Sequence, residues 1–387
     1  MHIAFLTNEY PPWSPGGGIG TSVRTLALAL ARQGHRVTVV GWGRAMTLED
    51  DGVHIRFLEA TRVPRGGWLL NRRAAATELT RLVRDEGLDI VEAPEWTGPS
   101  ALMRVPCPIV LRCNGSAGYF AHLTGARTRA SVRWAEGLAL RRCAGIAAVS
   151  RYTGELTARL FHLRRPIEVI PNGIDPQPWA DVPEDDDGDA AEREILYFGT
   201  IIRKKGVLDL CEAFSVVVRN RPTARLRLIG RDERDSGTGS PSTWALCEAL
   251  LSPEARARTV YQGPIPHSQL PSAIRRAAFC VLPSYAEACP LAWLEAMAGG
   301  KATIVYDGGW VPEMAECGVS ALFVRTGDRR ALAHQMTCLL DDDAGARRMG
   351  AAARAHVLAT FSADVVARTS AGWYRRILAG GSAEKTA

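Results

Sequence analysis

The chain has 387 residues, and 47 Lys and Arg stand against 41 Asp and Glu, a net charge of +6. Its apolar fraction is 47% and its charged fraction 23%, which excludes a disordered, collagenous or membrane-embedded chain. No apolar run reaches the ~20 residues of a membrane span, and no Lys/Arg run makes a nucleic-acid arm.

The first segment, HIAFLT (2–7), reads as a buried strand. A loop, NEYPPWSPGGGIG, follows it. The helix TSVRTLALALARQG comes next, with Val23, Leu26, Ala27 and Leu30 at helical spacing and Gly34 as its stop. Further strands are expected at 35–42, 88–93, 108–113, 145–150 and 167–172, with helical segments between several of them. The pattern stops in PQPWADVPEDDDGDAAERE, which is acidic, bears proline and has no periodicity, so it reads as a linker. Alternation then restarts. Strands are expected at 194–200, 225–230, 259–263, 279–284 and 302–307. Helices are expected at 207–220, 243–251, 268–277 and 291–300, and the stretch 329–378 reads as helical. This order implies an α/β protein with two Rossmann-like, doubly wound parallel-sheet domains facing across a cleft. The boundaries are 1–178, a linker at 179–193, 194–365, and a final segment 366–387 with a frayed tail.

Nine cysteines are scattered without a C-x-x-C, and MHIAFLTNEY is not a signal peptide, so reduced thiols and a cytoplasmic location are expected. Eight histidines form no close ligand pair, and no metal site is expected.

Three loops carry candidate chemistry. GGGIG (16–20) opens a helix, where backbone N–H groups and the helix dipole favour an anion. It fails the dinucleotide fingerprint, because eight residues separate Thr7 from Gly16 and Thr21 stands in place of the third glycine. A plain flexible turn is the competing reading. In FGTIIRKKGV, Arg203, Lys204 and Lys205 sit between a strand and a helix and suit a diphosphate, or simply face water. In SYAEACPLAWLEAMAGG, Glu287 lies in the loop and Glu295 one turn into the helix that Pro290 opens. Two carboxylates flanking one glycosidic bond would be a hydrolytic dyad. Ionised carboxylates also accept hydrogen bonds from sugar hydroxyls.

These segments, with AVSRYTGELTARLF, VIPNGID and above all EACPLAWLEAMAGGKATIV with its E-x7-E element, resemble the family 4 retaining nucleotide-sugar glycosyltransferases of GT-B fold. The likeness runs over nearly the whole chain. It implies an acceptor-binding first domain, a donor-binding second domain, and a last helix that crosses back. It implies a hexose moved from a UDP- or GDP-sugar co-substrate with retention and without metal or other cofactor. Glu287 then holds donor-sugar hydroxyls, Glu295 the ribose, Lys205 the diphosphate, and Gly17 and Gly18 the glycine loop. Thr200, Arg203, Cys289, Pro290 and Leu291 complete the implied donor site. Thr200 stands where relatives carry a diphosphate arginine, and Arg203 is the expected substitute. Ala288-Cys289-Pro290 departs from the usual glycine-rich sequence, and Pro290 removes a backbone donor. Asn114 stands where many relatives carry a cleft histidine. With Glu287 and Lys205 it is the candidate for the chemistry, though asparagine cannot act as a base.

Trp13, Glu95, Trp96 and Trp310 are the acceptor-side candidates, because aromatic faces near carboxylates suit sugar rings. The acceptor is a small molecule, a saccharide or a lipid-linked saccharide, and no nucleic acid partner is expected. Arg62, Arg65, Arg72 and Arg73 around GGWLL form a candidate membrane-surface patch. Two other readings stay open: an epimerase of the same fold, and a non-catalytic donor-binding module.

Overall fold

The computed structural model describes residues 1–14, 17–64, 66–180 and 194–383, so Gly16, Arg65 and most of the expected linker lie outside the described residues. The chain divides into two compact units. The first comprises Met1–Asp175 and Phe361–Ala387, and the second Pro176–Thr360.

The first unit runs β1 (His2–Leu6), α1 (Gly18–Arg32), β2 (Arg36–Gly43), β3 (Met46–Asp50), β4 (Val53–Glu59), α2 (Gly67–Glu86), β5 (Ile90–Pro94), β6 (Ile109–Cys113), α3 (Ala117–Thr124), α4 (Ala130–Arg142), β7 (Gly145–Ala148), α5 (Arg151–Phe161) and β8 (Glu168–Val169). Its sheet has the order β3-β4-β2-β1-β5-β6-β7-β8. All pairs are parallel except β3 with β4. β1 is buried on both faces, so it reads as a continuous apolar run. Successive side chains point to opposite faces. Ile3 and Phe5 join Val23, Leu26 and Leu30 of α1 in one core layer. Ala4 and Leu6 join Leu79 and Leu82 of α2 and Leu140 of α4 in the other.

The β3–β4 hairpin is absent from the sequence-based expectation. Its edge strand, MTLED, alternates half-buried and exposed positions up to a buried Asp50 and carries two acids, which is the composition of a loop.

The second unit contains α6 (Gln177–Ala180), β9 (Glu194–Phe198), α7 (Val207–Asn220), β10 (Arg225–Ile229), α8 (Thr243–Leu250), α9 (Pro253–Arg256), β11 (Thr259–Gly263), α10 (Leu270–Arg276), β12 (Phe279–Leu282), α11 (Leu291–Ala298), β13 (Thr303–Tyr306), β14 (Leu322–Val324), α12 (Arg329–Asp341) and α13 (Asp343–Thr360). The strand order is β11-β10-β9-β12-β13-β14, all parallel. The last helix, α14 (Ala363–Ala383), belongs to the first unit. The chain returns to that unit at Phe361, ahead of the expected boundary at 366.

Each sheet is wound outward in two directions from its first strand. The reversal lies between β1 and β5 in the first unit and between β9 and β12 in the second. Loops leaving the carboxyl ends of these neighbouring strands diverge and leave a crevice there.

Candidate active site

In the second unit, the loops after β9 and β12 flank the switch point. Gly206 ends the Arg203–Lys205 turn with φ +71°, and a Cβ on it would lie 1.9 Å from the Pro283 carbonyl oxygen. Only glycine allows that approach, which draws the two loops together. Lys205 Nζ donates to Glu287 Oε1 as a result. Two motifs 82 residues apart in sequence therefore form one ion pair. Both residues line a pocket with Tyr197, Ser284, Pro290 and Trp310. Pro290 caps α11, and Leu291 is its first residue. Cys289 is buried behind this turn. Tyr197 donates to the Thr200 carbonyl at 2.9 Å and holds the β9 loop from below. Burial lowers the pKa of the neighbouring Lys204 ammonium.

The Ser284–Pro290 loop is tied down through Tyr285. Its N–H donates to the Lys204 carbonyl at 2.8 Å, and its hydroxyl donates to Asp209 Oδ2 near the start of α7. Asp209 also accepts from Tyr306 at 2.9 Å and from Arg329 Nε at 2.8 Å. Burial, and then the Asp209 carboxylate, push the Tyr285 phenol up to about 12. Glu295, on α11, meets His267 Nε2 at 2.8 Å. Neither Asp209 nor His267 was singled out in the sequence, because each pairs with a distant loop and belongs to no local pattern.

Arg203 and Trp310 meet partners that the sequence did not indicate. Arg203, the expected substitute for the missing arginine, is held by Asp235 through Nε and Nη2 at 2.8 and 2.9 Å. Asp235 is fully buried, and the Arg203 hydrogen bond holds its carboxyl below the usual range. The guanidinium braces the 235–240 loop and its side chain stays 44% exposed. Trp310 was expected on the acceptor side. It is only 3% exposed and lines the pocket with Glu287 instead. Its ring fills the space above Gly308, where a Cβ would lie 2.3 Å from the ring.

In the first unit, the loops after β1 and β5 flank the other switch point. Gly17 and Gly20 donate to Glu9 Oε2 at 2.9 and 3.3 Å, so an internal carboxylate caps α1. Gly18 has no atom within 4 Å of the place a Cβ would take. Trp13 stacks on Tyr10 at 6.0 Å and stays 38% exposed. After β5, Trp96 is also 38% exposed and meets the edge of Phe120 at 6.0 Å.

Glu95 was expected to face the acceptor, but it is fully buried. Its Oε2 accepts the Asn114 N–H at 2.9 Å, and burial pushes its carboxyl up to about 8. The following loop turns away because Gly98, at φ +57°, packs on the Ala135 carbonyl of α4. Glu136 of α4 accepts from Thr97, Ala117 and Gly118 and so fixes both this loop and the start of α3. The membrane-patch expectation changes at Arg72. Its guanidinium donates to the carbonyls of Thr97, Gly98 and Trp68 and lies over the Trp68 ring at 5.1 Å. It therefore serves the loop and is not part of an open cationic face. No helix among the described residues is long and apolar enough to cross a membrane.

The model described as Glycosyltransferase Family 4 matches residues 16–178, and that described as Glycosyl transferases group 1 matches residues 184–356. The chain belongs to the family 4 glycosyltransferases of GT-B fold. It is a glycosyltransferase enzyme. It is 27% identical to a glycogen synthase of Mycobacterium tuberculosis, over 97% of this chain and 94% of that protein. The sucrose-phosphate synthase structure from Thermosynechococcus elongatus superposes with a TM-score of 0.81 at 21% identity, covering 98% of this chain and 99% of that one. Anabaena HepE in complex with UDP and glucose superposes with a TM-score of 0.77 at 16% identity, covering 97% of this chain and all of that one. In this glycosyltransferase, the E-x7-E element and the Lys205 loop occupy the switch point of the second unit.

Proposed function

We propose that the enzyme transfers a hexose from a UDP-sugar to a saccharide acceptor, with retention at the anomeric carbon and without a metal ion. The observation that carries the reading is the Lys205–Glu287 pair, formed by two loops at the switch point of the second unit. An ammonium beside a carboxylate suits a ligand with a diphosphate at one end and hydroxyls at the other. Lys205 releases Glu287 and takes a phosphate oxygen. Glu287 then accepts from sugar hydroxyls. Lys205 and the N-terminal end of α7 offset the charge that builds on the leaving diphosphate. The bond from the anomeric carbon to the diphosphate breaks. The acceptor oxygen bonds to that carbon on the same face, and its proton passes to the departing phosphate. Glu295 suits the ribose, with His267 moving aside. The UDP assignment draws on HepE, whose structure contains UDP and glucose. The saccharide acceptor fits the glycogen synthase relative and the partly exposed rings of Trp13 and Trp96.

The test is thermal denaturation with UDP and GDP, each in excess EDTA. A ligand at 100 times its Kd stabilises a site by about 2.7 kcal/mol. UDP is expected to raise the melting temperature more than GDP, and EDTA to leave the shift intact. A larger shift with GDP overturns the base assignment. Loss of the shift in EDTA overturns the metal-free reading.

A further inference from the structure

Two buried side-chain oxygens beside the carboxyl ends of β5 and β6 have no hydrogen-bond partner among the described residues: Oε1 of Glu95 and Oδ1 of Asn114. They belong to residues already joined, because the Asn114 N–H donates to Glu95 Oε2 at 2.9 Å. The Asn114 amide is oriented by Nδ2, which donates to the Arg112 carbonyl at 3.2 Å. The flipped amide would set its oxygen against that carbonyl, so this orientation is the one the network selects. An ionised carboxylate and an amide oxygen are both acceptors, and neither satisfies the other. One proton on Glu95 converts an orphaned acceptor into a donor.

We infer that Glu95 is a positioning residue that works as a neutral carboxylic acid, donating through Oε1 to Asn114 Oδ1. With Oδ1 and one Nδ2–H engaged, Asn114 keeps its second Nδ2–H. It lines a pocket with Ser22, Pro94, Asn172 and Gly173. There the amide is a fixed donor to a substrate oxygen, such as a sugar hydroxyl or a phosphate oxygen. It cannot serve as a base.

Burial favours the neutral acid and outweighs the backbone N–H groups of Asn114, Glu95 and Gly115, which favour the charged form. Glu136 on α4 is a second carboxyl group that disfavours another negative charge nearby. Cys113 on β6 is fully buried, and burial raises its thiol well above the usual range. Arg112 on the same strand is engaged by Glu92 at 2.8 and 3.0 Å. The raised Glu95 carboxyl agrees with the same protonation state.

The inference rests on placing Asn114 in the transfer site, but its first test needs no substrate. The probe is the infrared difference spectrum of the full chain, wild type minus Glu95→Gln, at pH 7. A protonated-carboxyl C=O band is expected in the wild type, giving way to carboxylate bands as the pH passes about 8. Its absence at pH 7 overturns the inference whatever the substrate proves to be. Glu95→Asp is the second comparison if Glu95→Gln fails to fold, since a shorter acid shifts the band without abolishing it.

The second test is the pH profile of kcat with the UDP-sugar. A glutamine side chain at this position repeats both hydrogen bonds of the neutral acid. Glu95→Gln should therefore retain most turnover and lose the alkaline fall. Glu95→Ala should lower kcat roughly tenfold or more. An unchanged alkaline fall in Glu95→Gln overturns the positioning role. A wild type that shows the band but no transfer sinks only the functional reading.

Discussion

Lys205 and Glu287 are implied donor-site residues that the structure brings into contact. The proposed donor site can therefore be tested by subtraction. Neither charge is fully buried, with side-chain exposures of 21% and 10%, so the pair can open to admit a ligand. Lys205→Ala removes the cation that would stabilise the departing diphosphate. Loss of one such donor costs about 10²–10³ in kcat. The expected result is a fall of that size in kcat, with UDP affinity reduced much less. Equal losses in both would mean that Lys205 only binds. Both residues were legible because each sits in a strand–loop–helix segment whose sequence is distinctive by itself. Their neighbours were not. Asp235 pairs with Arg203 across 32 residues, Asp209 with Tyr285 across 76 and His267 with Glu295 across 28. Glu95 was legible as a loop acid but not as a buried one, because only the approach of Gly98 to α4 shows that it is enclosed.

At the scale of elements, the parallel strands were legible because burial on both faces makes them apolar runs. The hairpin β3–β4 was not: β3 is a polar edge strand, and β4 alternates buried and half-buried positions. The loop between β12 and α11 shows how an element gains a fixed shape that its own sequence does not dictate. Its Tyr285 is bound to the loop after β9 by a backbone hydrogen bond and to α7 by Asp209. Tyr285→Phe keeps the ring and the backbone bond and deletes only the hydroxyl. Asp209 still holds Tyr306 and Arg329, so no bare charge results. The stability loss should be about 1 kcal/mol, typical of one hydrogen bond. The looser loop should raise the KM for the UDP-sugar several-fold, because Glu287 lies two residues further on. Steady-state kinetics beside thermal denaturation decides the matter. A lower melting temperature with unchanged KM would make Tyr285 a purely structural residue.

For the whole molecule, two alternating α/β units were legible from the restart of the pattern at residue 194. The return point was not, because α13 and α14 read as one helical stretch and only Phe361-Ser362 interrupts it. That return makes the first unit depend on both ends of the chain. Val366, Ala367, Ala371, Trp373 and Tyr374 of α14 share a core layer with Val23, Leu26 and Leu30 of α1. A polar anchor lies beneath. The buried Glu92–Arg112 pair receives the Tyr374 hydroxyl on Glu92 Oε2 at 2.6 Å, and Arg112 Nη2 donates to Ser370 Oγ at 3.0 Å. A chain ending at Thr360 would expose that apolar layer to water and remove two partners from the buried pair. Uncovering several large side chains costs about 1.5–3 kcal/mol each. Together that exceeds the margin of ~5–15 kcal/mol that holds an ordinary domain folded. The truncated chain should therefore lose the first unit's cooperative calorimetric transition, while that of the second unit, Pro176–Thr360, persists. Retention of both transitions would show that α14 only decorates a unit already complete at Asp175. Full-length Tyr374→Phe, which keeps the apolar contacts and removes one hydrogen bond, should lower the first transition only slightly. That contrast assigns the larger effect to the apolar layer, and the anchor then serves to fix the register of α14 on the sheet.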